Sequence, residues 1–159
     1  TALGIVQQPE DAEDIAQEVF AQVYQSIHSF KGESKLSTWL YRITISKAMD
    51  HLRRAKRKKR FAFVQRLFGQ QEESLHPPDF NHPGVVLDNK ENAVVLFRAI
   101  ERLPDNQRIA FTLHKVEGLS HQEISSIMDT TVSSVESLLH RAKTNLRKEL
   151  AGFFREKEE

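Results

Sequence analysis

The side chains with the clearest capacity for chemistry in this sequence are bases that could bind phosphate, and they are concentrated in one segment. Residues 31–60 contain eleven lysines and arginines against two acids, a net charge of +9, and five of these bases form the run 56–60. Residues 1–30 contain five acids and no lysine or arginine. An acidic block beside a basic block suits two different partners. The segregation therefore predicts one basic partner and one polyanion such as nucleic acid.

Motifs for enzymatic or metal chemistry are not found in the sequence. The seven histidines are scattered, and neither a His-Glu-x-x-His helix nor a glycine-rich phosphate loop occurs. Cysteine is absent, which removes disulfides and thiolate metal sites from consideration. We therefore predict no catalytic residues, no metal ligands and no cofactor.

Hydropathy indicates a globular protein without membrane insertion of its own. No apolar run approaches the roughly 20 residues that a membrane-spanning helix needs. The first residues, Thr1 to Val6, lack the basic start and long apolar stretch of a secretory signal. These features predict a cytoplasmic location.

Two helical patterns precede residue 60 and would position the charged blocks. Apolar residues recur at helical spacing from Glu10 to Ile27, with Pro9 suited to the first turn. Their predicted buried stripe is Ile15, Val19, Phe20, Val23 and Ile27. A loop at 30–34 breaks the pattern, and Ser34 or Ser37 could cap a second helix from Leu36 to Arg60. The inward stripe of that helix is predicted to be Leu36, Trp39, Leu40, Ile43, Met49 and Leu52.

Periodicity fails from about residue 69 to 89, where Gly, Gln and Pro predict a flexible linker. A second unit follows, with a helix that Pro104 ends and a helix at 106–116 that Asp105 could cap. The segments 120–123 and 133–136 both have the capping-box form, separated by a short polar turn. This order predicts a helix-turn-helix, a motif that places its second helix in the DNA major groove. The fold expected is all-α, with two small helical domains joined by a flexible linker.

These segments together resemble the extracytoplasmic-function (ECF) sigma factors of bacterial RNA polymerase. The N-terminal motifs that carry the resemblance are Asp11-Ala-Glu-Asp-Ile-Ala-Gln-Glu-Val-Phe20, Phe30-Lys-Gly-Glu-Ser34, Ser37-Thr-Trp-Leu-Tyr-Arg-Ile43 and Asp50-His-Leu-Arg-Arg54. The C-terminal motifs are Ile100-Glu-Arg-Leu-Pro104, Gln107-Arg108, Glu117-Gly-Leu-Ser120, Glu123-Ile124, Ser134-Val-Glu-Ser137 and Arg141-Ala142. The resemblance implies a region 2 at residues 1–62, a linker at 63–90 and a region 4 at 91–159. It also implies that the family's helix preceding this segment is missing before Thr1.

The resemblance further implies partners and the residues that would meet them. Core RNA polymerase would bind through the clamp helices of its largest subunit and the flap of its second-largest subunit, the clamp helices facing Asp11, Asp14, Gln17, Glu18 and Phe20. Promoter DNA at the −10 element would meet Phe30, Lys31, Gly32, Ser34, Arg42, Ser46, Lys47, Asp50, Arg53, Arg54 and Arg57. At the −35 element it would meet Thr131, Ser133, Ser134, Glu136, Ser137, His140 and Arg141. An anti-sigma factor is a further implied partner.

Two positions depart from the family's pattern, and other functions compete with this interpretation. Ser46 stands where asparagine is frequent, and Asp129 stands in the turn where glycine is usual. One alternative is a polymerase-independent helix-turn-helix regulator that dimerises through its N-terminal half. Another is an interaction module whose basic helix binds an acidic protein. The acidic first helix together with the Gly/Ser loop favours the sigma factor, since neither alternative needs both.

Overall fold

The computed structural model describes residues 1–67 and 90–156, and its regular elements in those ranges are helices, as predicted. The N-terminal unit, residues 1–67, contains α1 (Ala2–Val6), α2 (Pro9–Ser26), a 3₁₀ turn (Ile27–Ser29) and α3 (Leu36–Leu67). The C-terminal unit, residues 90–156, contains α4 (Lys90–Glu101), α5 (Asp105–Lys115), α6 (His121–Met128) and α7 (Val132–Glu156).

Helix α2 begins as its sequence predicts and packs along α3. Pro9 occupies the first turn, where its missing N–H costs no hydrogen bond. Ile15 and Val19 are buried, whereas Phe20 is 73% exposed and Ile27 is 39% exposed. The predicted stripe was therefore too wide, because Phe20 lies on the outer face of α2.

Helix α3 extends beyond its predicted end at Arg60 to Leu67. The sequence from 61 to 67 contains no glycine or proline that would end a helix. Ile43 and Ala48 are buried, but Leu36 is 48% exposed and does not belong to the core. The remaining linker residues, 68–89, lie outside the described residues.

Helix α1 was not predicted, and it connects the two units. Ile5 is fully buried, and the Thr112 hydroxyl of α5 donates a hydrogen bond to the backbone carbonyl of Gly4 at 3.2 Å. A Cβ at Gly4 would lie 2.6 Å from Cγ2 of Thr112, so glycine permits this close approach. Five residues give a weak helical pattern, because a short helix is stabilised mainly by its tertiary contacts.

The C-terminal unit follows the predicted order of helices, with two corrections at helix starts. Helix α5 starts at Asp105 itself with Pro104 as its N-cap residue, and no side chain caps it. Helix α7 starts at Val132, where the Thr131 hydroxyl accepts a hydrogen bond from the Ser134 N–H at 3.1 Å. Thr131 therefore caps this helix instead of Ser133, since the chain enters the helical conformation two residues earlier than the predicted box implies.

The short turn between α6 and α7 contains a left-handed residue, and the helix before it has a complete cap. Ser120 and Glu123 form the predicted capping box at the start of α6. Asp129 adopts a left-handed conformation with φ of 52°, a backbone geometry that Asp tolerates better than most residues. Gly118, at φ of 71°, reverses the chain after α5 in the same way.

The two units share one hydrophobic cluster. Its buried members in the N-terminal unit are Ile5, Val6, Ile15, Val19, Ile43 and Ala48. Its buried members in the C-terminal unit are Ile109, Ala110, Leu113, Ile124, Ile127, Val135 and Leu139. The units are in direct contact, because α1 packs on α5 and α3 packs on α6. We call this contact the junction.

Candidate nucleic-acid interface

The loop between α2 and α3 presents an aromatic ring beside a backbone that only glycine adopts readily. The Phe30 ring lies 5.3 Å from that of Trp39, between ring centres, so the half-buried Phe30 is held in place by the core. Gly32 has φ of 73°, and the space where its Cβ would lie is open. Lys31, Ser34 and Lys35 are exposed around it. The loop can therefore offer stacking, backbone N–H donors and positive charge to one ligand.

The exposed face of α3 continues this surface with alternating charge. Asp50 pairs with Arg53 at 3.5 Å, and the Arg54 side chain bonds to the backbone carbonyl of Asp50 at 3.3 Å. Ser46 and Arg57 are also exposed. These contacts orient Arg53 and Arg54 along the helix and leave both accessible to phosphate.

One predicted DNA contact, Lys47, instead faces α2. Its ammonium lies 3.3 Å from the Glu18 carboxylate, and His51 Nε2 lies 3.0 Å from Asp11 on the same side. Glu18 and Asp11 were predicted to face the polymerase, but the structure pairs both with α3. Their pairing links the acidic block to the basic block within the N-terminal unit.

The outward face of α2 brings together the other predicted polymerase contacts and one residue that sequence analysis missed. Asp14, Gln17 and Phe20 are exposed there. Tyr24, which is 84% exposed, follows Phe20 by four residues and Gln17 by seven, so it lies on the same face. That spacing could have identified Tyr24 as an extension of the surface.

The recognition helix of the helix-turn-helix exposes a mixed polar face. Ser133, Glu136, Ser137, His140 and Arg141 are all exposed, and Glu136 lies 3.6 Å from His121 of α6. The hydroxyls of Thr131 and Ser134 already hydrogen-bond to each other within the cap, at a distance of 2.9 Å. This face can accept hydrogen bonds from base edges and donate hydrogen bonds to them, while the cap fixes the start of α7.

At the junction the predicted −10 contact Arg42 is bound by the C-terminal unit. Its Nε and Nη2 donate to the backbone carbonyl of Ser126 at 3.1 and 2.6 Å. Beside it lies a cavity of about 600 Å³ between the loop and α6, lined by Ser34, Lys35 and Thr130 among others. Arg42 is thus the one predicted site residue that the described residues show engaged across the junction.

Tyr41 and Arg108 also connect the units through hydrogen bonds. Burial raises the pKa of Tyr41, and the charge of Glu117 raises it further, so the hydroxyl donates to Glu117 at 3.2 Å. The Arg108 guanidinium is buried and donates to the backbone carbonyl of Ile5 at 2.9 Å. Burial lowers the pKa of Arg108, while Asp105 at 3.1 Å opposes that shift.

Comparison with known proteins identifies the family. The model for Sigma-70 region 2 matches residues 1–58, and that for Sigma-70, region 4 matches residues 93–146. The chain is 35% identical over 134 residues to the ECF RNA polymerase sigma-E factor of Escherichia coli (strain K12), covering 84% of this chain and 70% of that protein. It is 33% identical over 152 residues to the RNA polymerase sigma-H factor of Pseudomonas aeruginosa, covering 95% and 79%. The chain belongs to the ECF sigma factors.

Two solved structures share the fold of this sigma factor. One is the sigma factor RpoE in complex with the anti-sigma factor NepR from Bartonella quintana, with a TM-score of 0.65 and 23% identity over 94% of this chain and 87% of that one. The other is CnrH in complex with the cytosolic domain of CnrY, with a TM-score of 0.64 and 18% identity over 95% and 78%.

Membership of the family assigns the chain its general role. A sigma factor directs RNA polymerase to promoters, so the polyanion predicted from the charge pattern is promoter DNA and the second partner is the polymerase. Within residues 1–67 and 90–156, none of the helices combines the length and apolarity needed to cross a membrane.

Proposed function

We propose that this ECF sigma factor divides promoter recognition between its units, the N-terminal unit opening the −10 DNA and the C-terminal unit reading the −35 element. The observation that carries the proposal is that one chain combines an aromatic Gly/Ser loop on a basic helix with a helix-turn-helix whose polar face is exposed. We also propose that the protein acts in the cytoplasm without catalysing a reaction itself.

At the −10 element the loop would bind an unstacked base of the separated strand. Phe30 has one side supported by Trp39, and Gly32 leaves room for a base to approach the backbone. Stacking on an aromatic side chain contributes about 1–3 kcal/mol per base. Arg53, Arg54 and Arg57 would then hold the phosphates of the same strand. Ser46 would supply a hydroxyl, which can form fewer hydrogen bonds to a base than the amide of an asparagine.

At the −35 element α7 would lie in the major groove. Arg141 can donate two hydrogen bonds to guanine, and Glu136 can accept from cytosine. The helix start capped by Thr131 would direct its free N–H groups at a phosphate. The recognition face is not strongly basic, which supports a reader that binds stably only as part of a larger complex.

The outward face of α2 would bind the clamp helices of polymerase. Asp14 and Gln17 supply polar contacts to a basic partner, while Phe20 and Tyr24 supply exposed apolar area. Aromatic side chains are frequent among the residues that dominate binding energy at protein interfaces. The flap of the second-largest subunit and an anti-sigma factor are further proposed partners, the latter supported by the structural neighbour RpoE, which is bound to the anti-sigma factor NepR.

Transcription with purified core polymerase tests the proposal, using Arg141→Ala as the informative variant. We expect initiation at the cognate promoter to fall about 5- to 150-fold, since a two-bond contact to a base contributes about 1–3 kcal/mol. Association with core polymerase should be unchanged. Lys143→Ala, at another exposed position of α7, is the matched control and should retain activity.

A polymerase-independent regulator would behave differently in the same experiment. Tight, sequence-specific binding of duplex DNA by the chain alone, together with no association with core polymerase, would contradict the proposal. Equal losses for Arg141→Ala and Lys143→Ala would contradict the assignment of Arg141 to a base.

A further inference from the structure

Three bases, one directly before α3 and two within it, are bound by oxygen atoms of the C-terminal unit. They are Lys35, Arg42 and Lys56, which we call the basic row. Arg42 and Lys56 are fourteen residues apart, which places them on the same side of α3, and Lys35 directly precedes the helix. The Lys56 ammonium lies 2.8 and 2.9 Å from the two carboxylate oxygens of Asp105. The Lys35 ammonium lies 3.5 Å from the Glu123 carboxylate, and two nitrogens of Arg42 donate to the backbone carbonyl of Ser126.

The ligands of the basic row have the chemistry of a nucleic-acid backbone. Carboxylate and carbonyl oxygens accept the same charge-assisted hydrogen bonds from lysine and arginine that phosphate oxygens accept. Arg42 and Lys56 are 14 residues apart, about 21 Å along the helix at 1.5 Å per residue. The carboxylates of Asp105 and Glu123 would also repel phosphates from these positions.

The junction holds this arrangement with contacts that do not depend on the row. The shared hydrophobic cluster, the Tyr41–Glu117 hydrogen bond and the bond from Arg108 to the carbonyl of Ile5 all connect the units. Elements named −10 and −35 are separated by about 25 base pairs, or roughly 85 Å at 3.4 Å per base pair. Units that share a core cannot read both elements of straight DNA at once.

We propose that the C-terminal unit is an internal competitor of single-stranded DNA for the basic row. In the free chain, Asp105, Glu123 and the Ser126 carbonyl occupy the sites on the basic row that the phosphates of a separated strand occupy after the junction opens. The inference deepens the proposed function, because it assumes that the ligand of the row after opening is the −10 strand. It assigns Lys35 and Lys56 to strand binding in addition to Arg42.

Zero-length carbodiimide cross-linking of the free chain tests the closed arrangement, because the reagent joins lysines to carboxylates in direct contact. We expect cross-linked peptides that join Lys56 to Asp105 in the monomer fraction. Lys47 and Glu18, 3.3 Å apart within the N-terminal unit, provide an internal control for reaction. A Lys47–Glu18 product without any product between the units would overturn the proposal.

Competition with a labelled oligothymidine strand tests what the row binds. We expect the strand to reduce the Lys56–Asp105 product, and the cross-linked monomer to lose strand binding. Glu123→Gln, which preserves the capping-box form, should raise affinity for the strand about two- to fivefold because it weakens an exposed pair. Glu149→Gln is the matched control, since Glu149 pairs with Arg102 inside the C-terminal unit.

The outcomes separate this inference from the proposed function. An equal gain in strand affinity from Glu149→Gln would show a general charge effect and overturn the competition. Unchanged strand binding by the cross-linked monomer would overturn it as well. Neither measurement includes polymerase, so a failure of promoter-directed transcription with these results intact would contradict the proposed function alone.

Discussion

At the start of α6, the side chains of Ser120 and Glu123 each accept a hydrogen bond from the backbone N–H of the other residue. Glu123 N–H donates to the Ser120 hydroxyl at 3.3 Å, and Ser120 N–H donates to the Glu123 carboxylate at 3.0 Å. That backbone hydrogen bond, followed by one from the Ser120 hydroxyl, lowers the pKa of Glu123. The contribution of the ionised carboxylate to stability is therefore present above the ordinary glutamate pKa, and it is lost as the pH falls through the lowered value.

Replacing the capping hydroxyl should weaken the helix-turn-helix. We expect Ser120→Ala to reduce the free energy of unfolding by about 1 kcal/mol, because one N–H at the start of α6 loses its acceptor. Urea denaturation at neutral pH measures the change. Ser126→Ala is the control: its hydroxyl bonds only to a carbonyl one turn earlier, so stability should stay within about 0.5 kcal/mol. Equal destabilisation by both substitutions would contradict a capping role.

Tyr24, which is 84% exposed, should contribute to polymerase binding. We expect Tyr24→Ala to weaken association with core polymerase about 5- to 30-fold, since an aromatic anchor contributes about 1–2 kcal/mol at an interface. Titration of labelled protein with core enzyme measures the affinity. Gln22→Ala, at an exposed position on another side of α2, should bind as wild type, and a matching loss there would contradict the assigned face.

Among the elements, helices with strong periodicity were predictable and those fixed by tertiary contact were not. The spacing of Ile15 and Val19 identified α2, and the capping box identified α6 within a residue. Helix α1 is too short to show a period, and it forms because Ile5 is buried against α5. The end of α3 was missed because basic residues can equally end a helix or continue it. The residue that caps α7 depends on where the chain enters the helix after the left-handed turn at Asp129.

The contact between α1 and α5 gives a prediction at the scale of elements. We expect Gly4→Ala to destabilise the protein by about 1–3 kcal/mol through overpacking, although alanine is the better helix former. Thr112→Ser removes the methyl group that the new Cβ would meet and keeps the hydroxyl. The double variant should therefore recover most of the loss in a thermal-denaturation cycle. Additive effects of the two substitutions would show that the methyl group is not the obstacle.

The shared cluster makes the folding of the two units interdependent. Trp39 is the only tryptophan; it lies in the N-terminal unit and packs against the shared cluster, so its fluorescence reports that unit and its packing at the junction. We expect Leu113→Ala in α5 to cost about 2–5 kcal/mol and to shift the transition seen by Trp39 together with that seen by circular dichroism. An unshifted Trp39 transition would show that the units unfold independently.

At the scale of the whole molecule, the sequence could predict two units but not how they meet. The charge segregation and the two helical patterns depend on neighbours in the chain. The pairing of Arg42 with Ser126 and of Tyr41 with Glu117 joins residues 84 and 76 positions apart, for which a single sequence carries no periodic signal. The residue types of the candidate site and the helix faces that carry them could be predicted from the sequence. Their contacts across the junction could be identified only from the three-dimensional structure.

Because apolar side chains are buried between the units, the free energy of separating the units depends on temperature. Moving part of that cluster into water raises the heat capacity, and the hydrophobic contribution that opposes this step becomes smaller at low temperature. Cooling should therefore increase the fraction of molecules with separated units at temperatures where each unit is still folded.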